Sequence, residues 1–185
     1  MEQDFVSRVN ALRASKGLAP LVVDTELTSI ARQWAGQMAQ AGAISHNPNL
    51  ANEVKADWTK LGENVGTGPD VPSIQQAFVN SPHHYENMVD PAFTRIGVGV
   101  VVAPNGAIYT SHEFERLASD DARPAASAPA PAPVRVSRPA VTRPAAAARP
   151  AAPAAAPAAA PAPAPAPVVP ARIALSLEVS AGRGL

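Results

Sequence analysis

The spacing of apolar residues changes character three times along the chain. At the start it follows the helix repeat: Phe5, Val9 and Leu12 fall at steps of four and three and predict a helix that Gly17 stops. After a turn through Pro20, the residues Leu27, Ile30, Ala31, Trp34 and Met38 mark the buried stripe of a second helix, capped by Asp24 and ending near Gly42. From Ile44 to Pro72 the regularity is lost. That stretch reads as a long irregular loop holding Ser45-His46, a short helix around Val54 and Trp58, and Gly62-Glu63-Asn64. A helix returns over 73–80 with Ile74, Ala77 and Phe78 inward, and Ser81-Pro82 restarts it with a serine cap and proline at its first position.

The period then drops to two. Ile96, Val98, Val100 and Val102 alternate with Gly97, Gly99 and Val101, and Ile108, Thr110, His112 and Phe114 alternate with Tyr109, Ser111 and Glu113. Asn105-Gly106 between them is a strong turn signal, so the two runs predict an antiparallel hairpin. Glycines at alternate positions of its first strand leave one face able to accept a helix closely. Helices first and a hairpin last predict an α+β fold or a layered α-β-α arrangement.

Composition divides the chain near residue 121. Every Phe, Tyr, Trp and His precedes that point, whereas 14 of the 21 prolines follow it in a stretch that is largely alanine and proline. The expected organisation is a module over 1–121, a disordered Pro/Ala-rich linker over 122–170, and a short C-terminal segment over 171–185. Proline at alternating or every third or fourth position favours extended polyproline-like chain, fit for a spacer, and plain low-complexity sequence is the competing reading. Residues 172–179 alternate like a strand that could not stay folded alone, which suits a docking peptide or the beginning of a truncated element.

Net charge is zero, but it is distributed unevenly. The module carries 14 acidic and 8 basic side chains, and the remainder carries Glu178 and seven arginines. An acidic module argues against a nucleic-acid partner. The tail arginines are spaced widely enough for only weak contact with anionic surfaces. There is no cysteine, so disulfides and thiolate chemistry are excluded. No run reaches the roughly 20 apolar residues of a membrane span. No signal peptide is visible at Met1-Glu2-Gln3-Asp4, which leaves cytoplasmic and exported placements both open.

The residues able to carry chemistry lie in four separated pieces: His46, Glu63, His83-His84 and the strand Tyr109–Glu113. Their spacing matches no compact metal motif, and the chain has no nucleophile elbow, phosphate-binding glycine loop or Cys–His pair. His83 and His84 fall at the second and third positions of a helix, where the macrodipole favours neutral imidazole. They point about 100° apart, so both cannot enter one site equally. Each candidate also has a structural reading. His46 can cap its loop, Glu63 can satisfy buried N–H groups near Gly62 and Asn64, and His83 can be a solvated helix-start residue. His112 can be a core or cleft-wall residue, and Tyr109 can serve either core or cleft.

In their order, several segments resemble the CAP superfamily of cysteine-rich secretory, antigen 5 and pathogenesis-related 1 proteins, in its bacterial SCP-like branch. They are Val9-Asn10-Ala11-Leu12-Arg13, Gly17-Leu18-Ala19-Pro20-Leu21, Ser45-His46, Gly62-Glu63-Asn64, Ser81-Pro82-His83-His84-Tyr85-Glu86-Asn87 and Phe93-Thr94-Arg95-Ile96-Gly97-Val98-Gly99. The resemblance spans roughly Phe5 to Phe114 and implies a three-layer α-β-α sandwich, usually secreted or in the cell envelope, with an open cleft. In animal and plant members two His and two Glu line that cleft and can bind zinc or another divalent cation. Carried over, His46 and Glu63 stand at the first His and Glu, with His84 completing a reduced metal set. Ser81 stands at the second Glu position, Tyr109 at the second His position, and His112 where the family usually has Gln. Tyr109, His112, His83 and Asn64 are the further cleft candidates.

Three functions fit these expectations: a ligand-binding or interaction module outside the cytoplasm, a metal-assisted hydrolase of cell-wall polymer or peptide, and a structural envelope protein. Binding is preferred over catalysis. If Glu63 is a ligand, no well-placed base remains, and a metal-free hydrolase would need a second carboxylate where Ser81 stands. A small molecule, a lipid or a cell-wall component is the expected partner.

Overall fold

A computed structural model of the chain describes residues 1–122, 171–174 and 177–180. The Pro/Ala-rich stretch expected over 122–170 lies outside them, apart from the backbone of Ala122.

The periodic segments form the helices expected of them. Helix α1 (Glu2–Ser15) buries Phe5, Val6, Val9 and Arg13. Helix α2 (Thr25–Ala41) begins where Asp24 accepts the amides of Glu26 and Leu27 at 2.8 and 3.1 Å, and it ends at Gly42. A single turn, α3 (Leu50–Glu53), follows. Helix α4 (Val71–Asn80) is capped by Asp70 on the Ser73 amide at 2.7 Å, two residues before the expected start. Helix α5 (Pro82–Val89) has the expected Pro at its start, but Ser81 makes no capping bond; its hydroxyl turns to His84 instead.

The sheet holds the main correction. The segment read as a loop contains β2 (Trp58–Gly68), an 11-residue strand. Apolar alternation is faint there because glycines replace side chains on one face: a Cβ at Gly62 would lie 2.8 Å from the Phe93 ring, and one at Gly66 3.0 Å from the Phe78 ring. With β1 (Val22–Val23), β3 (Arg95–Val102) and β4 (Ile108–Leu117), the strand order is β1-β3-β4-β2. The β1–β3 pair is parallel, and β3–β4–β2 are antiparallel. The β3–β4 hairpin turns at Asn105-Gly106, as its sequence predicts, with Gly106 at φ +82°. Two C-terminal stretches, β5 (Arg172–Ile173) and β6 (Leu177–Ser180), pair antiparallel with β2 on its outer side.

Three layers result. Helix α2 lies across one face of the sheet, close enough that a Cβ at Gly97 or Gly99 would come within 2.2 and 2.1 Å of the α2 backbone at Leu27 and Ala31. The opposite face packs Ile96, Val98, Ile108 and Phe114 against Phe5, Val6 and Val9 of α1, Ile74 and Phe78 of α4, and Met88 of α5. Arg13 is buried within this layer and donates to the carbonyls of Ala19 (2.8 Å), Met88 (3.1 Å), Asp90 (2.8 Å) and Phe93 (3.2 Å), tying the turn after α1, the end of α5 and the loop that follows it to α1.

Candidate functional site

Strand alternation sorts the candidate residues onto two faces of β2 and β4. On the α2 side lie Leu61, Glu63 and Val65, and across the β2–β4 register Glu113 and Ser111 stand opposite Glu63 and Val65. Glu63 is fully buried. One of its oxygens contacts His46 Nδ1, and its carboxylate accepts the Asn47 amide at 3.1 and 3.2 Å. Ser111 Oγ lies 2.7 Å from Glu113 and 3.4 Å from Glu63, bridging the two carboxyl groups. Burial first, and the neighbouring Glu63 second, hold the Glu113 carboxyl well above the usual carboxylate range.

On the opposite side of β2, α5 supplies His84 and Asn87. Asn64 donates to the His84 carbonyl at 2.9 Å and accepts from Asn87 at 3.0 Å, which fixes α5 against the strand. Ser81 Oγ lies 2.8 Å from His84 Nδ1, and the His84 ring stacks on Phe78 at 5.1 Å between centroids. Burial, helped by the charges of His46 and His83, lowers its pKa to about 4, while the Ala174 carbonyl opposes the shift. Which of Ser81 Oγ and His84 Nδ1 donates in this bond is set by the tautomer of the neutral imidazole.

The other candidates disperse. His112 is fully buried between the edges of Phe5 and Phe78, at 4.7 and 5.2 Å, and burial lowers its pKa to about 3. It belongs to the core beneath His84. Tyr109 packs with Met38, Val65, Ala103 and Ala107 on the α2 side. His83 faces solvent beside Glu86, so it does not enter the cleft, as its 100° offset from His84 requires.

The expected metal set of His46, Glu63 and His84 does not close. Among the described residues no three His, Asp or Glu side chains converge on a common point. The physical reason is the pleat of β2: Glu63 points toward α2 while α5 brings His84 to the other face. Within this set, Nδ1 of His46 is engaged by Glu63 and Nδ1 of His84 by the Ser81 hydroxyl, which leaves only the buried Nε2 atoms to offer a lone pair. Two imidazoles fall short of the three protein ligands of a catalytic zinc site, and Glu63 is engaged by His46 and Asn47. The donor set therefore does not fit a resident ion as the strands hold it.

Sequence reasoning counted the strand Tyr109–Glu113 among its candidates but singled out neither Ser111 nor Glu113, and it gave Arg13 no role. Arg13 carried one signal, a charge where the helix stripe demands burial; Ser111 and Glu113 carried none, because the alternation sets them on the face opposite Ile108 and Phe114.

This layering, with α2 over one face and α1, α4 and α5 over the other, is that of a known family. Residues 6–114 match the model of the cysteine-rich secretory protein family, CAP, and the chain belongs to that family. It does so without a single cysteine. The YkwD protein of Bacillus subtilis is 31% identical over 117 residues, covering 59% of this chain and 45% of that protein, so the chain spans less than half the length of this relative. Among solved structures, an outer surface protein of Borrelia burgdorferi superposes with a TM-score of 0.58 at 18% identity, covering 62% of this chain and 91% of that one. An extracellular SCP-domain protein of Bacillus anthracis does so with 0.56 at 24%, covering 62% and 40%. At these identities, both likenesses concern the fold.

Proposed function

We propose that the module is a ligand-binding or interaction module acting outside the cytoplasm, and that its binding surface runs along the outer side of β2 between His46 and His84. The observation that carries this reading is the state of the carboxyl groups. A hydrolase at this site would need a carboxylate free to bind a cation or take a proton from water. Glu63 is fully buried and engaged with His46 and the Asn47 amide, and Glu113 is buried with its carboxyl held well above the usual carboxylate range. Their shared role is to hold the His46 loop onto the sheet. Exposed placement of the relatives supports the location: the Borrelia protein is described as an outer surface protein and the Bacillus anthracis protein as extracellular. No helix among the described residues is long and apolar enough to cross a membrane.

The test is co-sedimentation of the full chain with insoluble cell-wall polymer, run beside anionic liposomes, with soluble fragments assayed in the supernatant. Retention on one matrix without fragment release, weakened by His84→Ala, is the expected result. Fragment release that disappears in His84→Ala would replace binding by hydrolysis.

A further inference from the structure

β2 has a partner strand on each side, and the two sides differ in kind. Toward β4 the pairing runs nearly the whole strand, from Trp58–Leu117 to Gly68–Ile108. Its other side would be an open edge but for two short pieces of the C-terminal stretch. Ile173 and Arg172 pair with Gly66 and Thr67, and Leu177 to Ser180 pair with Glu63 to Lys60. Between those pieces the register slips by one residue, since Ile173 and Leu177 are four positions apart and their partners Gly66 and Glu63 only three. The slip falls beside His84 and Asn87: the Val65 carbonyl accepts the Ala174 amide at 3.3 Å, Asn87 donates to the Leu177 carbonyl at 3.4 Å, and the Ala174 carbonyl acts on the His84 ring.

The edge recognises side chains as well as backbone. Ala171 and Ile173 pack on the cluster of Phe78 and Ile74, Ala174 on that of Met38 and Val65, and Val179 on that of Leu27 and Leu61. Glu178 lies 3.2 Å from Lys60. Small residues on β2 admit the stretch closely: a Cβ at Gly66 would sit 3.2 Å from the Arg172 carbonyl, and one at Gly68 3.1 Å from Ala171. Main-chain pairing with alternate side chains in apolar seats is the mode by which a sheet edge captures an extended peptide.

We propose that the outer edge of β2 is a binding site for an extended peptide strand, and that the C-terminal stretch of this chain is its displaceable intramolecular ligand. The proposal names the ligand class of the surface assigned above and rests on that assignment only for location. Displaceability follows from size. Six paired residues in two pieces make a marginal strand, and the roughly fifty residues of chain before it set an effective concentration on the order of millimolar. An external peptide with apolar residues at the seats of Ile173 and Val179 and an acid opposite Lys60 competes on equal terms. Its entry removes the stretch from His84.

The experiment uses the full chain and the full chain carrying Ile173→Asp with Val179→Asp, which places charge in two apolar seats outside the module itself. The probe is a dye-labelled synthetic peptide with the sequence of residues 168–182. The double variant should bind it at least tenfold tighter than the unaltered chain, whose edge is already occupied. Amide exchange across residues 60–67 should rise at least tenfold in the variant and fall again with excess peptide, while 95–102 stays protected. A second variant, Glu178→Lys, should shift both readouts in the same direction by a smaller factor. Equal peptide affinity for both chains, or unchanged exchange over 60–67, overturns the proposal. Protection that grows with protein concentration overturns the intramolecular assignment in favour of a second copy. Cell-wall retention is read separately, so its failure leaves this result standing.

Discussion

The two faces of the β2–β4 pair are built from the same strands yet bury opposite chemistry. Toward α2 the face holds Glu63, Ser111, Glu113 and Glu115; toward α1, α4 and α5 it holds Asn64, His112 and Phe114, with His84 packed over it. Both faces exclude water, and the same desolvation acts on groups of opposite charge type. It raises the Glu113 and Glu115 carboxyls, Glu115 to about 7 by burial and then Asp24, and it lowers His84 and His112 to about 4 and 3. Burial therefore favours the neutral form of these four groups, and each face loses stability on the side of the pH scale where they would be charged in the unfolded chain.

The consequence for stability has a definite sign. Between pH 6.5 and about 4 the unfolded chain protonates His84 and His112 while the folded chain does not, so stability falls with falling pH. Between pH 4.5 and about 7 the unfolded chain ionises Glu115 while the folded chain keeps it protonated, and the raised Glu113 carboxyl acts in the same direction, so stability falls with rising pH. The two slopes oppose each other from 4.5 to 6.5. A flat maximum there, with decline on both sides, is expected in urea midpoints measured from pH 3.5 to 8.5.

The largest way to break the comparison is steric and acts on one face alone. In Gly99→Ala the new Cβ would meet the α2 backbone at 2.1 Å, so the helix must lift from β3. The expected cost is roughly 3 kcal/mol or more, above the usual range for overpacking because backbone rather than a side chain must yield. A urea midpoint within error of the unaltered chain would contradict the close docking of α2.

The acid face can be neutralised without changing shape. Glu113→Gln keeps the bond to Ser111 and removes the proton that Glu113 retains on folding. The variant should gain roughly 1–3 kcal/mol over the unaltered chain at pH 8, within the desolvation range of a buried polar group, and little at pH 4.5. An equal gain at both pH values would show that Glu113 does not titrate differently on folding. On the other face, His112→Leu removes a buried imidazole from between Phe5 and Phe78. Its gain should be on the order of 2 kcal/mol at pH 5 and much smaller at pH 7.5, since only the unfolded imidazole is charged at pH 5. The two variants should thus flatten opposite limbs of the same profile, each leaving the other face's limb in place.

How far the sequence foretold this division depends on which residues carry it. The hairpin was legible because valines, isoleucines and glycines alternate cleanly over 96–102, and Gly97 and Gly99 announced the helix that α2 provides. Helix α2 was legible from its stripe and from Asp24. β2 was not, because Gly62, Gly66 and Gly68 make room for Phe93, Phe78 and Ile74 rather than showing apolar side chains of their own. Without that strand, Glu63 and Asn64 could not be assigned to opposite faces, and His46, Glu63 and His84 read as one set. Arg13 shows the converse: it follows Val9 by four in an apolar stripe, and its burial is explained only by four carbonyls that meet it in space.

The smallest change sharpens the comparison at the one imidazole the two faces share an interest in. His84 sits at the edge of the aromatic layer but feels His46, whose loop is held by the acid face through Glu63. Ser81→Ala removes the hydroxyl 2.8 Å from His84 Nδ1. A hydrogen bond donated to Nδ1 favours neutral imidazole, so its loss should raise the His84 pKa from about 4 while burial keeps it below the ordinary histidine value. Stability should change by less than about 1 kcal/mol, as expected for one part-buried hydrogen bond. Imidazole nitrogen shifts followed against pH read this directly, with His112 in the same spectrum as the internal control. A His84 midpoint that stays put or falls would mean that the Ser81 hydroxyl is the acceptor and Nδ1 carries the proton, leaving the Nε2 lone pair turned toward the C-terminal stretch.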